Sequence, residues 1–232
     1  MNALILAAGL GTRLQGIAPE TPKPMMEVGG VPVLEGIIQK LLKLGVLRIV
    51  INVHHLPEKI ISYVASQPYA NQVEIVQEMD LLGTAGTLKK NINKLMHEDF
   101  FVLHGDNFFQ DDLQELVSKH KRSGNEIVVT MGTFITNERS SAGTVVTDEN
   151  SLVKEFYEKD PNSPSFQANS AIFIMKPNVL PVINGLSALE NDLSRDLLPK
   201  ILGQIQAVPL KGYFIDIGTP KNYARANMLA GS

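Results

Sequence analysis

The sequence predicts an α/β fold: a doubly wound, mostly parallel sheet with a small inserted β region. Three observations carry this. Short continuous apolar runs, the mark of strands buried on both faces, recur along the first 130 residues. Segments with helical spacing separate them through short connections, the signature of parallel β-α-β units. After Gly132 the pattern changes to strands without intervening helices.

Asn2-Ala3-Leu4-Ile5-Leu6-Ala7 reads as the first strand, ending at Gly9. A Gly- and Pro-rich stretch runs from Gly9 to Pro24. Val33, Leu34, Ile37, Ile38, Leu41 and Leu42 then fall at helical spacing, with Gly45 as the stop. Arg48 to Val53 is a second buried strand, and Pro57 opens a helix carrying Ile60, Ile61 and Val64. Val73 to Val76 is a third strand, Thr84 to Met96 a helix, and Phe100 to Leu103 a fourth strand that stops at Gly105-Asp106. A helix over about Asp111–Lys121 and a strand at Ile127–Thr130 continue the alternation. Thr144–Thr147, Leu152–Phe156 and Ala171–Ile174 form the inserted region, and Asp160 to Ser165 is a loop. Helical spacing returns near Leu197. Phe214–Ile217 is a last strand, and Pro220 starts a final helix. No linker interrupts this order. The chain therefore reads as one domain, with the α/β alternation in residues 1–132 and the sheet completion in 133–232.

Composition narrows the function. Of 232 residues, 21 are Lys or Arg and 24 are Asp or Glu, a net charge of −3 that disfavours a nucleic-acid binder. The absence of Cys removes disulfides, thiolate metal sites and a Cys nucleophile. No apolar run approaches the ~20 residues of a membrane span. The start, Met1-Asn2-Ala3-Leu4, lacks a signal-peptide pattern, so a cytoplasmic location without membrane partners is expected.

Leu6-Ala7-Ala8-Gly9-Leu10-Gly11-Thr12-Arg13 is the most informative segment. Two glycines after a strand let backbone N–H groups face phosphate. The third Gly of a dinucleotide fingerprint and the Gly-Lys-Ser/Thr of a P-loop are both missing. Arg13 suits phosphate oxygens, and Lys23 adds a second cation on a Pro-flanked segment.

Gly9-x-Gly11-Thr12-Arg13-Leu14 followed by Pro22-Lys23-Pro24-Met25 resembles the sugar-nucleotide pyrophosphorylase family, the NDP-sugar nucleotidyltransferases, in their single-domain form. The likeness continues in Leu82-Gly83-Thr84-Ala85-Gly86, Gly105-Asp106, Glu158-Lys159, Asn169-Ser170-Ala171-Ile172-Phe173 and Asp216-Ile217-Gly218-Thr219-Pro220. Three departures stand out. Asp160 replaces a Pro, Ala171 replaces a Gly, and no C-terminal acyltransferase or β-helix domain follows. The ending most resembles the heptose and mannose 1-phosphate guanylyltransferases, with the muramate 1-phosphate uridylyltransferases also close.

The resemblance implies a Rossmann-like nucleotidyltransferase that joins a nucleoside triphosphate to a sugar 1-phosphate and releases pyrophosphate. It implies that residues 1–132 are the nucleotide-binding half, where Leu6, Ala7, Ala8, Gly9, Gly11, Thr12, Arg13, Glu78, Gly83 and Thr84 bind the nucleotide. Arg13 and Lys23 would be catalytic, and Asp106 and Asp216 would share Mg²⁺. Residues 133–232 would be the sugar-phosphate-binding half, where Glu158, Lys159 and Asn169 would meet the sugar phosphate. Glu78, accepting only, matches the paired donors of guanine better than the single donor of uracil, so GTP is expected over UTP. His54 and His55 read as sugar-pocket or structural residues. Three alternatives stay open: a UTP-dependent enzyme, transfer to a phospho-alcohol, and a non-catalytic homologue. Nothing in the sequence sets an oligomeric state, and a homodimer is left open.

Overall fold

A computed structural model describes residues 1–14 and 16–231. Gln15, within the Gly9–Pro24 stretch, and Ser232 lie outside the described residues. In chain order the elements are β1 (Asn2–Leu6), β2 (Glu27–Val28), β3 (Val31–Pro32), α1 (Val33–Lys43), β4 (Arg48–Val53) and α2 (Pro57–Ala65). Then come β5 (Val73–Gln77), α3 (Gly83–Asn91), β6 (Phe100–His104), β7 (Asn107–Phe109), α4 (Gln114–Arg122) and β8 (Val129–Ile135). The remainder is β9 (Gly143–Thr147), β10 (Val153–Glu158), β11 (Gln167–Met175), α5 (Leu180–Gly185), β12 (Ile205–Pro209), β13 (Phe214–Asp216) and α6 (Pro220–Ala230).

The chain forms two compact units that interleave along the sequence. The first takes Met1–Leu81, Leu103–Asp111 and Gly212–Ser232; the second takes Leu82–Val102 and Asp112–Lys211. In the first unit β4 pairs in parallel with β1 on one side and β5 on the other, and Asn52 lies opposite both Leu6 and Val76. Ala3, Leu4, Ile5, Ile49, Val50 and Ile51 have no exposed surface, as continuous apolar strands of a covered parallel sheet require. α1 buries Leu34, Ile37, Ile38 and Leu41 along one stripe. A short antiparallel pair, β7 with β13, sets Asp216 opposite Asn107.

The second unit is the mixed sheet expected of the inserted region. β8 pairs antiparallel with β11 and in parallel with β12. β9 pairs antiparallel with β10 and with β11. The register of β11 shifts between Asn169 and Phe173, a bulge with Ala171 at φ +54°.

Several element boundaries differ from the sequence reading. The helix expected to run to Met96 ends as α-helix at Asn91 and closes in a 3₁₀ turn over Ile92–Lys94. α4 starts at Gln114 rather than near Asp111, because Leu113 adopts φ +64° and Asp112 accepts the Gln114 N–H. Around Leu197 the helical spacing forms a π-turn over Leu193–Leu197 followed by a 3₁₀ turn over Leu198–Ile201. Pro199 lacks the N–H that a longer helix would use. β7 and β12, short and polar-interrupted, had no readable pattern and owe their existence to their partners.

Candidate active site

The first unit gathers four of the expected residues: Arg13, Lys23 and Asp216 around Gly218, and Asp106 through Lys23. Lys23 sits on a 3₁₀ turn over Lys23–Met25, entered through the extended Pro22, and its side chain is buried. Asp106 follows β6, and Asp216 ends β13. Because β13 sets Asp216 opposite Asn107, the two carboxylates converge. Lys23 Nζ donates to Asp106 Oδ2 at 2.5 Å and to Asp216 Oδ1 at 2.6 Å. Asp216 Oδ1 also accepts the Gly218 N–H at 2.8 Å.

Two glycines of the sequence motifs have steric reasons. A Cβ built on Gly218 would lie 2.8 Å from Lys23 Nζ, 2.9 Å from Arg13 Nη2 and 2.9 Å from Asp216 Oδ1. Only Gly leaves room for both cations there. On Gly105, whose N–H donates to Leu6 O at 2.8 Å, a Cβ would meet Ile5 Cγ2 at 3.0 Å. Asp106 is thereby held hard against the end of β1.

Burial works to lower the Lys23 pKa, but Asp106 and Asp216 outweigh it and hold the ammonium above its ordinary value. Burial likewise opposes ionisation of Asp216. Lys23, the Gly218 N–H and Arg13 outweigh that and hold its carboxyl below the usual range. Lys23 Nζ therefore marks a point that two carboxylates already share for a cation. A divalent ion at this point would find two carboxylates, with the rest of its shell left to phosphate oxygens and water, a pattern that suits Mg²⁺. Among the described residues no group of three or more His, Asp or Glu side chains competes as a metal centre.

Gly9, Gly11, Thr12 and Arg13 lie on the loop that leaves β1, where Gly9, Thr12 and Arg13 are exposed. Gly11 takes φ +61°, the left-handed conformation that selects glycine. Leu6, Ala7 and Ala8 are buried, so they can offer a ligand only their backbone. Glu78 is 2% exposed, a buried carboxylate rather than a solvated one. Its N–H donates to Val53 O at 2.8 Å, and its carbonyl oxygen lies 2.9 Å from His54 Nδ1. Its Oε1 accepts from Asn52 Nδ2 at 3.0 Å, while Asn52 Oδ1 accepts the Ala7 N–H at 2.8 Å. Sequence reading passed over Asn52, because a lone Asn inside an apolar strand carries no motif. Only its strong polarity within Ile49-Val50-Ile51-Asn52-Val53 could have flagged it.

The second unit holds the remaining candidates. Gly83 opens α3, and the Thr84 hydroxyl accepts the Leu193 N–H at 2.8 Å, so it ties this helix to the π-turn. Lys159 Nζ lies 3.3 Å from Glu158 Oε1, on a residue with φ +53°. Asp160, where the motif has Pro, builds its own turn by accepting the Asn162 N–H at 2.8 Å. Glu158 pairs with Gly143, and Asn169 follows Ala168, which pairs with the next residue, Thr144. Glu158, Gly143 and Asn169 thus occupy neighbouring register positions on three adjacent strands. A Cβ on Gly143 would meet Glu158 Oε2 at 2.6 Å and the Phe156 ring at 2.7 Å, so the glycine makes room for these two side chains. Asn169 Oδ1 accepts the Ala171 N–H at 2.8 Å.

A family model described as nucleotidyl transferase matches residues 2–232. Mannose-1-phosphate guanyltransferase of Aspergillus oryzae is 34% identical over 99% of this chain and 64% of its own length. UTP–glucose-1-phosphate uridylyltransferase of Synechocystis is 35% identical over 97% of this chain and 62% of its own length. The chain thus spans a little under two thirds of these relatives. The crystal structure of HddC from Yersinia pseudotuberculosis complexed with GMP-PN superposes with a TM-score of 0.79 at 28% identity, covering 98% of each chain. No helix among the described residues is long and apolar enough to cross a membrane.

Proposed function

Because the chain belongs to the nucleotidyl transferase family, we propose that it transfers a nucleoside monophosphate from a nucleoside triphosphate to a sugar 1-phosphate. The observation that carries this reading is the convergence of Arg13, Lys23 and Asp216 around Gly218, with Asp106 joined to the same Lys23 ammonium.

A sugar-phosphate oxygen attacks the α-phosphorus in line. A new P–O bond forms, the bond to the β-phosphate's bridging oxygen breaks, and pyrophosphate leaves with that electron pair. The nucleophile is an anion at neutral pH, so no side chain needs to remove a proton. The obstacle is repulsion between polyanions, and the remedy is positioning and charge neutralisation. The backbone from Leu6 to Thr12 cradles the triphosphate, Arg13 faces the departing pyrophosphate, and Lys23 neutralises the reacting phosphates. Asp106 and Asp216 would hold Mg²⁺, which would supply further charge neutralisation. Gly83 and Thr84 complete the nucleotide contacts, Thr84 through its main chain. Glu158 and Asn169 hold the sugar, and Lys159 holds its phosphate.

GTP is the favoured nucleotide and a mannose- or heptose-type 1-phosphate the favoured acceptor. The buried, acceptor-only carboxylate of Glu78 supports this, as do the guanyltransferase relatives and the GMP-PN held by HddC. UTP is the second reading, favoured by the Synechocystis relative. Pyrophosphate release, measured for GTP and UTP against a panel of sugar 1-phosphates, tests both. GTP with a mannose or heptose 1-phosphate should give the highest kcat/KM, and Glu78→Gln should narrow the gap to UTP. No release with any pair would overturn the reading.

A further inference from the structure

Asn52 stands at the end of the middle strand of the β1-β4-β5 ladder, opposite Leu6 on one side and Val76 on the other. It is 2% exposed. Its amide bridges two groups that the proposed function assigns to the nucleotide, Ala7 at 2.8 Å and Glu78 at 3.0 Å. The direction of both bonds is forced. A backbone N–H can only donate, so Oδ1 faces Ala7. A carboxylate can only accept, so Nδ2 faces Glu78. Turning the amide over would set donor against donor and acceptor against acceptor in a buried place, which is costly. Glu78's own backbone is tied to Val53 O and His54 Nδ1. The side chain is thus the part left for Asn52 to aim.

We propose that Asn52 is the positioning residue of the nucleotide site: one amide fixes the Glu78 carboxylate and the backbone at Ala7 together. This rests on Glu78 reading the base. Neither Ala7 nor Glu78, the two groups it bridges, is placed at the metal or among the charges that neutralise the reacting phosphates. Its effect therefore belongs to nucleotide affinity and selectivity, with kcat spared.

The test uses the whole chain and reads nucleotide binding by calorimetry, without sugar phosphate, beside turnover and thermal unfolding. Asn52→Asp keeps the acceptor for Ala7 but replaces the donor to Glu78 with a like charge. It should weaken GTP about tenfold, the scale of a lost hydrogen bond to a charged group, and raise KM far more than it lowers kcat. Asn52→Asp combined with Glu78→Gln reverses the direction of the bond. The pair should regain the unfolding temperature that Asn52→Asp loses and bind UTP at least as well as the wild type, while GTP stays weak. A merely structural Asn52 would shift stability without moving the GTP to UTP ratio. That result, or a double variant equal to the sum of the two single changes, would overturn the proposal. Loss of pyrophosphate release from the wild type with these binding effects intact would instead overturn the nucleotidyl-transfer reading and leave Asn52 in its role.

Discussion

Lys23 Nζ lies 2.6 Å from Asp216 Oδ1, across a sequence separation of 193 residues. With Asp106 on its other side, the ammonium occupies the point that a divalent cation would share with the same two carboxylates. In the proposed reading a divalent ion would compete with Lys23 for this pair of anions, and its binding would free the ammonium for phosphate.

Replacing Lys23 by Met keeps the buried stem and removes the competing charge. Mn²⁺ affinity of the nucleotide-free protein, followed by electron paramagnetic resonance, should rise about tenfold or more. Turnover should fall by ~2–4 kcal/mol in transition-state terms, mainly in kcat. Unchanged Mn²⁺ affinity would show that Lys23 does not hold the cation point.

Ala171 takes φ +54° in the β11 bulge, at the position where the resembling motif has glycine. A side chain in the left-handed region costs roughly 1–2 kcal/mol, and glycine's extra freedom in the unfolded chain returns part of that. Ala171→Gly should stabilise the protein by about 0.5–1 kcal/mol and raise the unfolding midpoint by about 1–4 °C. A lower midpoint would mean that the Ala171 methyl contributes packing worth more than the strain.

His120 is buried in the second unit, with Nδ1 2.8 Å from Thr130 Oγ1 and Nε2 3.2 Å from Asp99 Oδ2. Burial lowers its pKa. Asp99 opposes this and Lys176 adds to it, and the net shift is downward. A depressed folded pKa means that the unfolded chain takes up the proton first. The stabilisation is therefore complete above the unfolded value of about 6.5 and is lost as pH falls below it toward the folded value. Thermal midpoints between pH 8 and pH 5 should decline on the acid side, and His120→Gln should flatten part of that decline. Parallel curves for the two proteins would exclude His120 as the cause.

The sequence by itself determined what local chemistry can write. The apolar runs of β1, β4 and β6 and the stripe of α1 announce a covered sheet, because burial on both faces demands continuous hydrophobicity. Gly9, Gly11 and Arg13 announce a backbone open to phosphate, whereas the crowding that excludes a side chain at Gly105 and Gly218 comes from the fold. The tertiary structure decided which residues meet. The pairing of β13, a strand the sequence shows, with β7, which it does not, carries Asp216 to Asp106 and closes both on Lys23. The register of β1, β4 and β5 turns an unremarked Asn52 into the link between Ala7 and Glu78, and buries a Glu that composition would place in water. Such contacts depend on strand register and burial, which are set by the packing of distant segments. No local pattern encodes them.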